Sequence, residues 1–140
     1  MLQQTQTHRV EQKYEQFITA LPNFDALAHV PLRRVLSLWQ GLGYNRRALY
    51  LQQIAQKVLG KYDGQLPANP VILETFPGIG KATAASIGAF AFNIATIFIE
   101  TNIRVVFIHS FFSRQAIVTD KNIMPLIKQT LDVSNPREWY

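Results

Sequence analysis

Apolar residues recur every three or four positions along most of this chain, the spacing that lines one face of an α-helix. Val10, Tyr14, Phe17, Ile18 and Leu21 form a first stripe, which Pro22 ends. Asn23 has a side chain suited to a first-turn amide and starts a short helix that runs to residue 29. Pro31 opens the next helix where its missing N–H costs nothing, and Leu32, Val35, Leu36 and Trp39 make its inner face. Gly41, Leu42 and Gly43 break that helix. Asn45 is then expected to cap a long one striped by Leu51, Ile54, Ala55, Val58, Leu59 and Tyr62.

Asp63 and Gly64 predict a turn, and two prolines, Pro67 and Pro70, predict a loop. A short helix over 71–76, the segment Pro77, Gly78, Ile79, Gly80, and a helix over 81–91 follow. Residues 94–99 are rich in β-branched side chains, but with no second strand to pair with they read as an extended connector. Helices are expected over 102–112 and over 120–131, the latter with Ile123, Ile127 and Leu131 inward. Asn135 and Pro136 look like one more helix start. The pattern predicts an all-α fold in a single domain over residues 1–140, and a last helix cut off after its first turn at Trp139 and Tyr140 suggests a fragment.

Composition changes this picture little. Mean hydropathy is +0.02. The longest uncharged run, residues 82–99, is interrupted by polar side chains and falls short of the roughly 20 apolar residues of a membrane span. Charge matters more. Fourteen Lys and Arg against nine Asp and Glu leave a net +5, which suits a polyanionic partner as well as a merely solvated helix face. The chain has no cysteine, so disulfides and thiolate-held metals are excluded within it. His8, His29 and His109 lack metal-ligand spacing, and no metal site is expected.

Residues 73–87 hold the most informative pattern. Leu73, Phe76, Pro77, Gly78, Ile79, Gly80, Lys81, Thr83, Ala84 and Ile87 read as helix, tight hairpin, helix. Two glycines let bare backbone N–H groups approach a ligand, and those amides open a helix, where the dipole and unpaired donors favour an anion. Ile79 is expected to plug the hairpin into the core, with Lys81 and Thr83 adding a cation and a hydroxyl. A plain αα-turn needs glycines too, so Gly-x-Gly alone decides nothing.

The full pattern resembles the helix-hairpin-helix of DNA glycosylases in the endonuclease III superfamily, most of all the A/G-specific adenine glycosylase branch. The resemblance covers essentially the whole chain. Leu2, Gln3, Gln4 and Thr5 resemble a family segment in which the second glutamine, here Gln4, wedges into the base stack. Trp39, Gln40, Gly41, Leu42, Gly43 and Tyr44 resemble another, in which Leu42 and Tyr44 face the base opposite the target and Tyr44 intercalates, with Gly43 between them. Such wedges fill the gap that a flipped base leaves.

In this superfamily a carboxylate at the start of the helix after the hairpin helix steadies the cationic sugar as the base departs. The matching stretch contains Glu100, Asn102 and Arg104, which implies catalytic roles for Glu100 and Asn102 and DNA contact for Arg104, and the family's usual residue at the first of these is aspartate. The added methylene moves the charge by about 1 Å, a displacement that can cost roughly 100-fold in rate. Members that also cleave the strand carry a nucleophilic lysine where this chain has Ala82, so a monofunctional glycosylase is implied. The branch's general-acid glutamate would precede Met1, and iron–sulfur cysteines, if any, would lie beyond Tyr140. The resemblance thus implies hydrolysis of the glycosidic bond of a mismatched base, most of all adenine opposite 8-oxoguanine or guanine, by an intracellular, DNA-associated monomer. The implied partner is double-stranded DNA with a mismatched or damaged base pair, and no membrane is involved. The rival reading is a helix-hairpin-helix module that binds DNA without catalysis.

Overall fold

Helix boundaries in the computed structural model, which describes residue 1 and residues 7–140, follow the caps that the sequence offers. Helix α1 (Thr7–Ala20) buries Val10 and Phe17, with Leu21 buried just past its end, while Tyr14 and Ile18 of the same stripe remain exposed. Asn23 accepts the Ala26 N–H at 2.8 Å and starts α2 (Phe24–His29). Helix α3 (Leu32–Trp39) follows Pro31, with Val35 and Trp39 inward and Leu32 out at the exposed rim.

Helix α4 (Arg46–Lys61) starts differently from the sequence expectation. Asn45 has helical dihedrals (φ −53°, ψ −24°) and makes no side-chain cap, because a capping side chain needs an extended backbone to reach forward. The turn at Asp63 and Gly64 is present, both with positive φ. Helix α5 (Pro70–Leu73) is shorter than predicted; Asn69 caps it by accepting the Val71 N–H at 2.9 Å. Helix α6 (Lys81–Phe92) ends on Asn93 in the left-handed conformation. The connector 93–100 has no regular structure, and α7 (Thr101–Phe111), α8 (Asp120–Thr130) and α9 (Pro136–Trp139) complete the chain. Among the described residues there is no strand, and no helix is long and apolar enough to cross a membrane.

Contacts divide the chain into two compact units. The first comprises residues 1–67 and 76–78, the second residues 68–75 and 79–140. In the first, Val35, Ala48, Ala55 and Val58 are fully buried, and Phe17 meets Trp39 edge-on at 6.1 Å. The buried Gln52 amide donates to the Leu27 and Val30 carbonyls at 3.2 and 2.6 Å. One turn on, Gln56 donates to the Ala28 carbonyl at 3.2 Å. Two glutamines of α4 thereby satisfy the open carbonyls at the end of α2, which would otherwise cost about 1–3 kcal/mol each when buried.

The second unit has its own core, in which Ile123 and Ile127 are fully buried against Phe107 and Trp139. Each such side chain contributes about 1.5–3 kcal/mol by leaving water. Tyr140 stacks on Phe98 at 4.1 Å between ring centroids. Its hydroxyl accepts the Phe98 N–H at 3.1 Å and donates to the Thr96 carbonyl at 3.0 Å. Burial raises the Tyr140 phenol above its ordinary pKa, so the hydroxyl stays a donor through the physiological range. Thr96 in turn donates to the Ala85 carbonyl at 2.6 Å. The connector that leads to Glu100 is therefore tied to α6 on one side and to the Tyr140 phenol on the other.

Candidate nucleic-acid interface

The hairpin is built from its first arm. Phe76 is buried, with the Tyr62 ring at 5.6 Å and the Lys57 ammonium 4.4 Å above its face. Gly78 follows with φ +73°, and a Cβ there would run into Cδ2 of the Tyr50 ring. Only glycine meets both demands. Ile79, expected to plug the hairpin into the core, is only half-buried, and Phe76 takes that part. The reason lies in the turn: Gly78 reverses the chain, which leaves Ile79 on the outgoing arm.

The second arm opens α6. Gly80 is its N-cap, extended at φ −93° and ψ 176°, with no side-chain cap and open space where a Cβ would sit. The first-turn amides of a 12-residue helix thus start at an exposed glycine followed by the exposed cation Lys81, with Thr83 half-buried a half-turn on. Such a helix start favours an anion through its dipole and amide donors. Gly88 fixes the far side of α6, where a Cβ would press on Thr96 Cγ2 at 3.1 Å and Pro70 Cγ at 3.5 Å.

The second expected DNA-facing segment is the 41–44 loop. Tyr44 is 66% exposed, and its backbone is left-handed at φ +48°. Leu42, expected beside it at the surface, is instead 3% exposed and packs in the first unit's core. Its apolar side chain anchors the loop, while Gly41, Gly43 and Tyr44 are exposed. The expected wedge residues Gln3, Gln4 and Thr5 lie outside the described residues.

Glu100 is exposed and caps α7, its Oε2 accepting the Asn102 N–H at 2.8 Å. One carboxylate oxygen is thus held by the helix it precedes, while Oε1 makes no hydrogen bond among the described residues. Asn102 takes part through its backbone. Arg104, expected to contact DNA, is engaged by a carboxylate: its guanidinium pairs with Asp120 through Nε at 3.0 Å and Nη2 at 2.7 Å. The pair is about half exposed, so it contributes little to stability, but it places the positive charge on α8.

Three residues with roles here were not singled out by the sequence reading. Tyr50 backs Gly78, Asp120 holds Arg104, and Arg47 binds the 41–44 loop. Their signal is weak because each acts on a residue distant in sequence or through a carbonyl that any residue supplies. Among the described residues no cluster of His, Asp and Glu would hold a metal, and with no cysteine no residue of this chain would hold an iron–sulfur cluster.

The model of the HhH-GPD superfamily of base excision DNA repair proteins matches residues 1–132. The adenine DNA glycosylase of Buchnera aphidicola (subsp. Baizongia pistaciae) is 36% identical over 136 residues, 97% of this chain and 38% of that protein. The human adenine DNA glycosylase is 38% identical over 104 residues, 74% of this chain and 19% of that protein. The chain therefore spans about two-fifths of the length of such relatives or less. A thermostable thymine-DNA glycosylase superposes with a TM-score of 0.82 over 99% of this chain and 65% of that one, at 24% identity. Endonuclease III in a trapped covalent complex with DNA gives 0.77 over 99% and 63%, at 19% identity. The fold is thus that of the endonuclease III-type helix-hairpin-helix glycosylases, and with the match over residues 1–132 this chain belongs to the HhH-GPD superfamily of base excision DNA repair proteins.

Proposed function

We propose that this chain is the core of a monofunctional DNA glycosylase of base excision repair, acting on adenine opposite 8-oxoguanine or guanine. The observation that carries the reading is the hairpin: an exposed Gly80 and Lys81 at an uncapped helix start, in a chain whose relatives are named adenine DNA glycosylases. Backbone amides of the hairpin bind a phosphate, a contact that positions the duplex without reading its sequence. Tyr44, and Gln4 with Gln3 and Thr5, fill the stack beside the extruded base.

Cleavage breaks the bond between the sugar and the base nitrogen. The electron pair leaves with the base, and a water oxygen completes the sugar. Glu100 lies at a helix start, where its charge is stable, and it offsets the positive charge that develops on the sugar ring. The departing purine takes up a proton as the attacking water gives one up, so the net change is hydrolysis. Ala82 offers no amine, so no covalent sugar–protein adduct forms.

A second reading, a DNA-binding module without catalysis, draws on the same carboxylate. Glu100 replaces the family's aspartate and already serves as the N-cap of α7. Single-turnover release of adenine from a duplex with 8-oxoguanine opposite separates the two, using the natural protein that contains this chain. The glycosylase reading expects release that falls at least about 100-fold in Glu100→Gln, the scale of a misplaced catalytic group. No release, with salt-sensitive duplex binding retained, leaves the binding module.

A further inference from the structure

The 41–44 loop has a conformation that its own backbone does not favour. Gly41, Gly43 and Tyr44 all have positive φ, at 92°, 70° and 48°. For Tyr44 that region is strained, and a strained residue persists only where its surroundings hold it. What holds it is a pair of side chains, Arg47 and Trp39. Arg47 Nη2 donates to the Leu42 carbonyl at 3.0 Å and to the Gly43 carbonyl at 3.5 Å. Trp39 Nε1 donates to the same Gly43 carbonyl at 2.9 Å. The Arg47 guanidinium also lies 5.5 Å from the centre of the Trp39 ring and 5.4 Å from that of Tyr44, within range of a cation–π contact with each. A further donor, Nη1, reaches the Met1 carbonyl at 3.4 Å, next in sequence to the segment containing Gln3, Gln4 and Thr5.

We propose that Arg47 is a positioning residue for DNA engagement: it clips the 41–44 loop so that the exposed Tyr44 ring is presented ready to stack, and ties that loop to the chain leading into residues 2–6. The inference rests on the glycosylase reading for what Tyr44 stacks upon. It does not rest on it for the clip. Arg47 touches no substrate in this scheme and acts through Tyr44. A lysine keeps the charge but has no planar fork to span two carbonyls, so Arg47→Lys isolates geometry from charge.

The test has one readout without DNA and one with it. In the free chain, amide hydrogen exchange at Leu42, whose N–H donates to the Trp39 carbonyl at 3.1 Å within the clipped loop, is expected to rise at least tenfold in Arg47→Lys, with Ala55 and Val58 unchanged. Unchanged exchange at the loop overturns the clip, and a rise at Ala55 and Val58 as well reduces Arg47 to a general structural residue. Should Arg47→Lys not fold, Tyr44→Leu perturbs the pair from its exposed side; an unmoved Arg47 Nε–H resonance then overturns the clip.

With a duplex containing adenine opposite 8-oxoguanine, Tyr44→Ala is expected to raise Kd about tenfold, the loss of one base–aromatic stack. Arg47→Lys is expected to raise it similarly, and the double variant no further, because both changes remove one contact. Losses that multiply to about a hundredfold mean that Arg47 works independently of Tyr44 and overturn the proposal. A wild-type chain that binds no duplex defeats the glycosylase reading, while the exchange data still decide the clip.

Discussion

The 41–44 loop and the 77–80 hairpin both turn the chain sharply on glycine, yet they are stabilised in opposite ways. The hairpin is set by its backbone. Gly78 has a positive φ and lies against the Tyr50 ring, so the residue type is dictated twice over, and Gly80 simply leaves its amides bare. The loop is set by side chains. Gly43 has positive φ but nothing within 4 Å of a would-be Cβ, and its carbonyl is gripped by Trp39 and Arg47. The contrast separates a surface fixed by its backbone, which the proposed function assigns to a phosphate, from one in which side chains hold an exposed aromatic ring.

Substitutions can break that comparison. Gly78→Ala should be the most damaging, since it adds left-handed strain of about 1–2 kcal/mol to overpacking of about 1–3 kcal/mol against Tyr50. Urea unfolding measures the sum. Adding Tyr50→Ala should return the overpacking part and leave the strain, and strictly additive losses would mean that the ring is not what Gly78 avoids. Next comes Gly43→Ala, expected to cost only about 1–2 kcal/mol from φ alone because space is free. If it matches Gly78→Ala in the same unfolding experiment, the loop is backbone-dictated as well and the contrast fails.

Smaller effects sharpen the comparison. Breaking the half-exposed Arg104–Asp120 pair with Asp120→Asn should cost under about 1 kcal/mol of stability. The same change frees the Arg104 guanidinium, so duplex binding should tighten, and its salt dependence should steepen. Binding that is unchanged in a salt titration would show that Arg104 does not face phosphate. Smallest in stability is Gly80→Ala, near zero within about 0.5 kcal/mol, because φ is ordinary and the space is open. Its Cβ would nonetheless stand where a phosphate must approach, so duplex Kd should rise while the melting temperature stays put.

Much of this was legible in the sequence, for a physical reason. Helix periodicity, the Asn23 cap and the Pro136 start are local signals, and each produced the expected element. Gly78 was legible because a backbone constraint leaves a mark on the residue type itself. Long-range partners leave no such mark. Asp120 lies 16 residues from Arg104 and Tyr50 lies 28 from Gly78, so neither pairing could be read from spacing. Asn45 shows the opposite failure: its residue type suits a cap, but the preceding left-handed Tyr44 delivers it in a helical conformation. Leu42 fails for a third reason, since a leucine between two glycines fits a surface wedge and an anchoring core residue equally well.

The distribution of the two tryptophans has a practical consequence. Trp39 is buried in the first unit and Trp139 sits against Phe107 in the second, so each unit carries its own intrinsic fluorophore. Replacing one indole at a time by phenylalanine yields two chains whose emission spectra report on separate halves. Denaturation curves from the pair either coincide, which makes the polypeptide one cooperative system, or separate, which reveals which half melts first.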